Sequence, residues 1–282
     1  MFIKLFSKFF KLIGLKGSRL LGAFLGLFFF YLVPIRKSVV IKNISIAFPE
    51  KSQKEIKLLA RKNYQSILIT FLEFLCFPFL SAEKLKQILN FEDVPEILKI
   101  IDEKKGLIFW SGHLGSWEVA AVSGALNLGI PFKVLAKKQS NDSINEWLTT
   151  AREVHGNKMI WLGVSVRHLV QALKSGNVVA VVGDQRGPEE NQRVNFFGRP
   201  TSFYIGTAAI IAKTNCNVIV GAALRQPDKN YRVYQEQLNL DGLPTDFDER
   251  VKALNQMYAN FLEKIIRKYP EQYFWMHNLW KY

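Results

Sequence analysis

The stretch FWSGHLGSWEVA, residues 109–120, places an imidazole and a carboxylate five positions apart, at His113 and Glu118. On one continuous helix that offset would turn the two side chains about 140° off a common face. Across a strand–turn–helix junction the carboxylate can instead reach back to the ring. Such a pair makes a general base: Glu118 would fix the tautomer and stabilise the imidazolium while His113 takes a proton from a hydroxyl. Gly112 and Gly115 permit close backbone approach, and Ser116 is placed to cap the helix that follows. The backbone N–H groups at that helix start, at Gly115 and Ser116, can meet a developing oxyanion. A hydrogen-bonded structural histidine satisfies the same spacing. None of His155, His168 and His277 has an acid at that offset. His277, between Trp275 and Trp280, reads as a packed or lipid-interface histidine rather than a catalyst. No His-Glu-x-x-His pattern occurs and the two cysteines, Cys76 and Cys216, lie far apart, so no metal site is expected.

A second group of residues follows the run VVAVVG (178–183). Asp184 comes directly after it, where α/β sites gather, or it caps the loop. Arg199, after Phe196-Phe197-Gly198, offers a planar fork of donors for a phosphate or an oxyanion, and Arg186 and Arg193 are candidates in the same loop. Beside Glu189 and Glu190 these arginines can equally be neutralised surface charges.

The elements that would position these groups read as an alternation. Strands are predicted at 107–111, 132–136, 178–183, 217–224 and 231–238, and helices at 117–128, 142–154, 164–174, 203–213 and 246–268. A longer helix is predicted over 52–75. The fold expected is α/β, a β-sheet flanked by helices on both faces. With 282 residues, 49% hydrophobic and 22% charged, the chain has material for a full core and is not a disordered type. Two regions are expected: a basic, apolar membrane-anchoring region over 1–50 and an α/β domain over 51–282.

The anchor reading rests on charge and apolar content. The net charge is +14, and the first acidic residue, Glu50, is preceded by eight basic ones. Lys4, Lys8 and Lys11 share one helical face amid Phe2, Leu5, Phe6, Phe9 and Phe10, the composition of a membrane-surface helix. Leu20–Val33 then carries no charge, but its length reaches only about 21 Å, short of a hydrocarbon core of about 30 Å. It suits a short span, a re-entrant segment, an interfacial helix or a buried core helix. No small-x-small cleavage site follows it. The lysines are interleaved with Phe and Leu, which argues for anionic lipid and against nucleic acid.

Four stretches, in order, resemble one family. SGHLGSWE resembles the His-x4-Asp/Glu motif of the lysophospholipid acyltransferase superfamily, in the form of the bacterial late acyltransferases of lipid A biosynthesis. KNISIAFPE (42–50) resembles that branch's Asn-x-x-x-Ala-Phe-Pro segment. VVGDQRGPEENQRVNFFGRPTSF (181–203) resembles its Asp-Gln loop and Phe-Phe-Gly-Arg-Pro block, and PEQYFWMHNLWK (270–281) its C-terminal ending. The resemblance implies a mixed sheet of the glycerolphosphate-acyltransferase type behind a membrane anchor. It implies transfer of an acyl chain from a thioester of acyl carrier protein or coenzyme A to a hydroxyl of a membrane lipid, a lipid A precursor. His113 would be the base and Glu118 its partner, with no metal or bound redox cofactor. It places the protein at the cytoplasmic face of the inner membrane, as a monomer partnered by acyl carrier protein. Two positions depart from the family pattern. VLAKKQSND (134–142) lacks a Tyr-Arg-Pro-like motif, for which Lys137 or Lys138 can substitute, unless the acceptor differs. Asn278-Leu279 replaces two arginines, which leaves room for a less charged acceptor: a lysophospholipid, a glycolipid or an aminoacyl lipid.

Overall fold

The structure is a computed structural model that describes residues 2–162 and 166–281, with side chains described from residue 8. Helix α1 (Phe2–Tyr31) is broken at Gly14, whose φ of +60° is a left-handed conformation that glycine takes at no steric cost. Lys4 of the expected basic face lies outside the described side chains. Helices α2 (Lys37–Ala47) and α3 (Gln53–Phe74) follow. Ser52 and Glu55 start α3 by satisfying each other's backbone N–H groups. Gly22 and Gly26 of α1 lie directly on the α3 backbone, where a Cβ would come within 2.7 Å of Ile69 and 2.4 Å of Gln65. Val40, Ile44 and Ala47 of α2 are buried in the main core with Tyr64 of α3.

The remaining chain alternates. It runs α4 (Ala82–Gln87), β1 (Leu89–Asn90), α5 (Val94–Asp102), β2 (Leu107–Ser111), α6 (Trp117–Leu128), β3 (Lys133–Ala136), α7 (Asp142–Glu153) and β4 (Lys158–Trp161). Then come α8 (Val166–Lys174), β5 (Val178–Val182), β6 (Val194–Phe196), β7 (Arg199–Thr201), α9 (Gly206–Thr214), β8 (Asn217–Arg225), β9 (Tyr231–Gln237) and α10 (Phe247–Lys268). Residues 164 and 165 of the expected helix 164–174 lie outside the described residues. Seven strands form one sheet in the order β1-β9-β8-β2-β5-β3-β4, and β6 and β7 form a separate antiparallel pair. All neighbours in the sheet are parallel except β8 with β9, so the sheet is mixed.

β2 and β5 are buried centrally and read as apolar runs, as strands covered on both faces do. Alternate residues serve opposite layers. Ile108 and Trp110 enter the core beneath α9 and α10, where Trp110 stacks on Tyr258 with ring centroids 4.1 Å apart. Leu107 and Phe109 pack with Ala121 and Ala125 of α6 and Ile97 and Ile101 of α5. β2 therefore ends in the middle of the sheet with helices on either side, and its first loop residues emerge at the carboxyl edge of the sheet.

Candidate active site

Strand β2 stops at Ser111, whose carbonyl accepts the Tyr258 hydroxyl at 2.7 Å. The turn Gly112–Ser116 then crosses to α6. At Gly112 a Cβ would crowd Leu262, 2.9 Å from Cδ2, and sit 3.3 Å from an Asp184 carboxylate oxygen. Gly115 has φ of +64°, and a Cβ would sit 2.0 Å from the Ala223 carbonyl oxygen. The C-terminal segment straps this turn: Gly115 N–H donates to Gln272 O at 2.9 Å and Phe274 N–H to His113 O at 2.9 Å.

The partner of His113 is Asp184. Nδ1 of the ring lies 2.7 Å from Asp184 Oδ1, and the His113 backbone N–H donates to Oδ2 at 2.8 Å. Sheet register explains the meeting. Ser111 pairs with Val182 across β2 and β5, so the residues two positions further on emerge side by side. The expected Glu118–His113 pair does not form. Glu118 sits in the first turn of α6 and faces α7, where Arg152 donates to it through Nε at 3.0 Å and Nη2 at 2.6 Å. Trp117 Nε1 donates to the same carboxylate at 3.1 Å. A bidentate guanidinium on the facing helix claims both oxygens that the imidazole would need.

The expected oxyanion donors are also occupied. Besides the Gly115 bond, Ser116 N–H donates to Ala223 O at 2.8 Å. The Ser116 side chain caps α6, accepting from Val119 N–H. Arg152 is held against Glu118, with its side chain 14% exposed.

Electrostatics follow from this packing. Burial works against a charged His113, yet the Asp184 carboxylate outweighs it, Glu118 adds to it, Arg152 opposes, and the net shift is upward from 6.5. Burial raises Asp184, but His113 and its hydrogen bonds prevail and hold the carboxyl below its ordinary 3.8. With Asp184 ionised, Nδ1–H is the donor and Nε2 is the nitrogen left for a substrate proton. His277, whose ring centroid lies 5.0 Å from that of His113, is pushed down to about 4 by burial, with His113 and Arg36 adding to it and Asp184 opposing, so it is neutral near pH 7. Among the described residues no group of three or more His, Cys, Asp or Glu could hold a metal ion.

His113, Glu118 and Arg152 line one end of an apolar cavity of about 240 Å³. Its floor is the sheet face of β2, β3, β5, β8 and β9, and its roof is α6. Ala120, Ala121, Gly124, Phe109, Phe132, Ala180, Gly221 and Ala223 are among its walls. A general-base pair at the end of an apolar cavity can activate a hydroxyl next to a long hydrocarbon.

The family described as bacterial lipid A biosynthesis acyltransferase matches residues 4–282. The chain belongs to that family and is an acyltransferase. It is 24% identical over 250 residues to the lipid A biosynthesis palmitoleoyltransferase of Escherichia coli (strain K12), covering 87% of this chain and 79% of that one. It is 23% identical over 265 residues to the lipid A biosynthesis lauroyltransferase of the same organism, covering 93% and 84%. The lipid A biosynthesis acyltransferase of Shigella flexneri matches at 24% over 250 residues, covering 87% and 79%.

In this acyltransferase the other residues singled out from sequence divide by position. Lys137 lines the cavity. Arg186 lies outside it and donates to Asn278 O at 3.1 Å. Arg193 and Arg199 are exposed around the β6–β7 pair and do not line the cavity. Leu279, where the resemblance expects an arginine, is 2% exposed in the main core. Arg152 was missed by sequence reading. It lies in the predicted helix 142–154, with no local pattern to mark it, and only the packing of α7 on α6 brings it to Glu118.

Proposed function

We propose that the chain moves a fatty acyl group from an acyl thioester, of acyl carrier protein or coenzyme A, to a hydroxyl of a lipid A precursor. His113 Nε2 takes the proton of the acceptor hydroxyl. The oxygen attacks the thioester carbonyl carbon and forms a tetrahedral oxyanion, which faces the Arg152 guanidinium. Collapse breaks the carbon–sulfur bond, and the departing thiolate recovers the proton from the His113 imidazolium. Asp184 holds the ring and its charge throughout. Glu118 acts through Arg152 by fixing the guanidinium. Lys137 offers a cation at the cavity wall for the donor's phosphate, and Arg186, Arg193 and Arg199 offer cations on the surface for the acceptor. The carrying observation is the His113–Asp184 pair at the end of an apolar cavity, in a chain of this family.

The reaction takes place at a membrane, on the cytoplasmic face of the inner membrane, where a soluble donor and an amphiphilic acceptor meet. One described helix is long and apolar enough to cross a membrane, Lys8–Tyr31, with mean hydropathy 1.5. Its contact with α3 favours an interfacial placement over a span. The face opposite α3 exposes Leu12, Leu20, Phe24, Phe28 and Tyr31, below the exposed Lys8 and Lys16.

Lipid mass spectrometry on membranes of matched cells tests the reading. Cells expressing the wild type should gain a lipid one acyl unit heavier, and cells expressing His113→Ala at equal membrane abundance should not. The mass of the product identifies the acceptor, separating a lipid A precursor from a lysophospholipid, glycolipid or aminoacyl lipid. The same gain with His113→Ala would overturn the base assignment.

A further inference from the structure

A helix resting on a sheet is normally held off by large aliphatic side chains on both surfaces. Here α6 presents Ala120, Ala121 and Gly124 to the cavity, and the sheet beneath presents Ala180, Gly221 and Ala223. Small residues on both surfaces leave the slot open. At one end stand His113, Glu118 and Arg152. At the other, the rings of Phe109 and Phe132 stack with centroids 5.2 Å apart. Gly124 is six residues beyond Glu118, about 9 Å further along α6.

Gly124 has no structural need to be glycine. It lies in a helix interior, where glycine is unfavourable relative to alanine. A Cβ there would meet only Phe132, at 3.5 Å from Cε2 and 3.8 Å from Cζ, which is ordinary contact. Gly22 and Gly26 differ, since their Cβ atoms would collide with backbone. What glycine supplies at position 124 is space in the cavity beside the Phe132 ring.

We propose that Gly124, with the Phe109–Phe132 pair, sets the length of the acyl chain the enzyme transfers. This rests on the reading above, in which the chain lies in this cavity with its carbonyl at His113. The space beside Gly124 takes the last methylenes, and the two rings stop the methyl end. A side chain at 124 shortens the slot, and a smaller residue at 132 lengthens it. One methylene in a closed apolar site is worth roughly tenfold or more in discrimination.

The test is the chain-length distribution of the added acyl unit, read by mass spectrometry in cells expressing wild type, Gly124→Ala, Gly124→Val or Phe132→Leu. Gly124→Ala should reduce the ratio of the preferred chain to the next shorter one roughly tenfold, and Gly124→Val should do so by more. Phe132→Leu should move the distribution toward longer chains. Gly124→Ala favours the helix, so its fold is retained, and thermal unfolding of each purified variant checks this. Transfer with an unchanged distribution in Gly124→Ala and Phe132→Leu would overturn the proposal while leaving the acyltransferase reading intact. No added acyl unit in the wild type would overturn the parent reading, and this one with it.

Discussion

At the residue scale the site turns on which carboxylate serves His113. Asp184 does so with two hydrogen bonds from one buried side chain, fixing both the ring and the backbone of its residue. Glu118 carries its charge in the same region but spends both oxygens on Arg152. The two carboxylates therefore predict different phenotypes. The proposed reaction needs neutral His113, and Asp184 raises the pH at which it becomes neutral. Wild-type kcat/KM should climb with pH along a limb whose midpoint lies above 6.5. Asp184→Asn removes the main charge that favours the imidazolium. Its limb should move to lower pH, and its plateau should fall roughly a hundredfold or more because tautomer and charge support are both lost. A pH–rate profile of the two proteins decides this. An Asp184→Asn limb at or above the wild-type position would show that another group titrates.

At the element scale, the strands at 107–111, 178–182 and 217–225 were legible because buried β-branched and aromatic runs between turn residues have few other readings. Helix α6 matched its predicted limits because Ser116 and Gly129 punctuate it. β1, β4, α4, α5 and the β6–β7 pair were not read, being short and dependent on neighbours for their burial. Of the candidate site, the turn, His113 and Asp184 were each singled out in the sequence. Their pairing was not, because His113 and Asp184 are 71 residues apart in sequence and meet only through strand order. A second hidden feature braces the turn. Glu73 of α3 is 1% exposed and is held by Arg19 of α1, the Tyr231 hydroxyl of β9 and Arg225 of β8. Arg225 Nη2 also donates to Thr70 Oγ1 at 2.7 Å, and Thr70 donates to Gly115 O at 3.2 Å. This network ties α1, α3 and the sheet to the turn that carries His113. Arg225→Met leaves Thr70 and Glu73 short of a buried partner and should cost about 3 kcal/mol by denaturant unfolding. Adding Glu73→Leu should cost less than the sum of the two single changes, since the second removes the charge the first strands. Additive losses would show that the network is not coupled.

At the scale of the whole molecule, the question is how a sheet-centred enzyme meets a lipid. α1 is fastened to α3 through Gly22 and Gly26, and α3 in turn contributes Tyr64 and Ile56 to the main core. A helix clamped in this way cannot leave the protein to cross a bilayer without opening that contact. Its free face, with Phe24 63% and Phe28 38% exposed, is the lipid-binding surface in the proposed reading. The lysines before it add attraction to anionic headgroups, which salt screens, whereas apolar insertion survives salt. Two separable losses follow in vesicle co-sedimentation. Lys8→Glu with Lys11→Glu should weaken binding to anionic vesicles at low salt and have little effect at high salt. Phe24→Asp with Phe28→Asp should weaken binding at every salt concentration, since each aromatic contributes about 2 kcal/mol when buried, or more than a hundredfold together. Unchanged binding by the Phe24→Asp, Phe28→Asp protein would mean that lipid meets another face, and the reading of α1 as an interfacial anchor would fall.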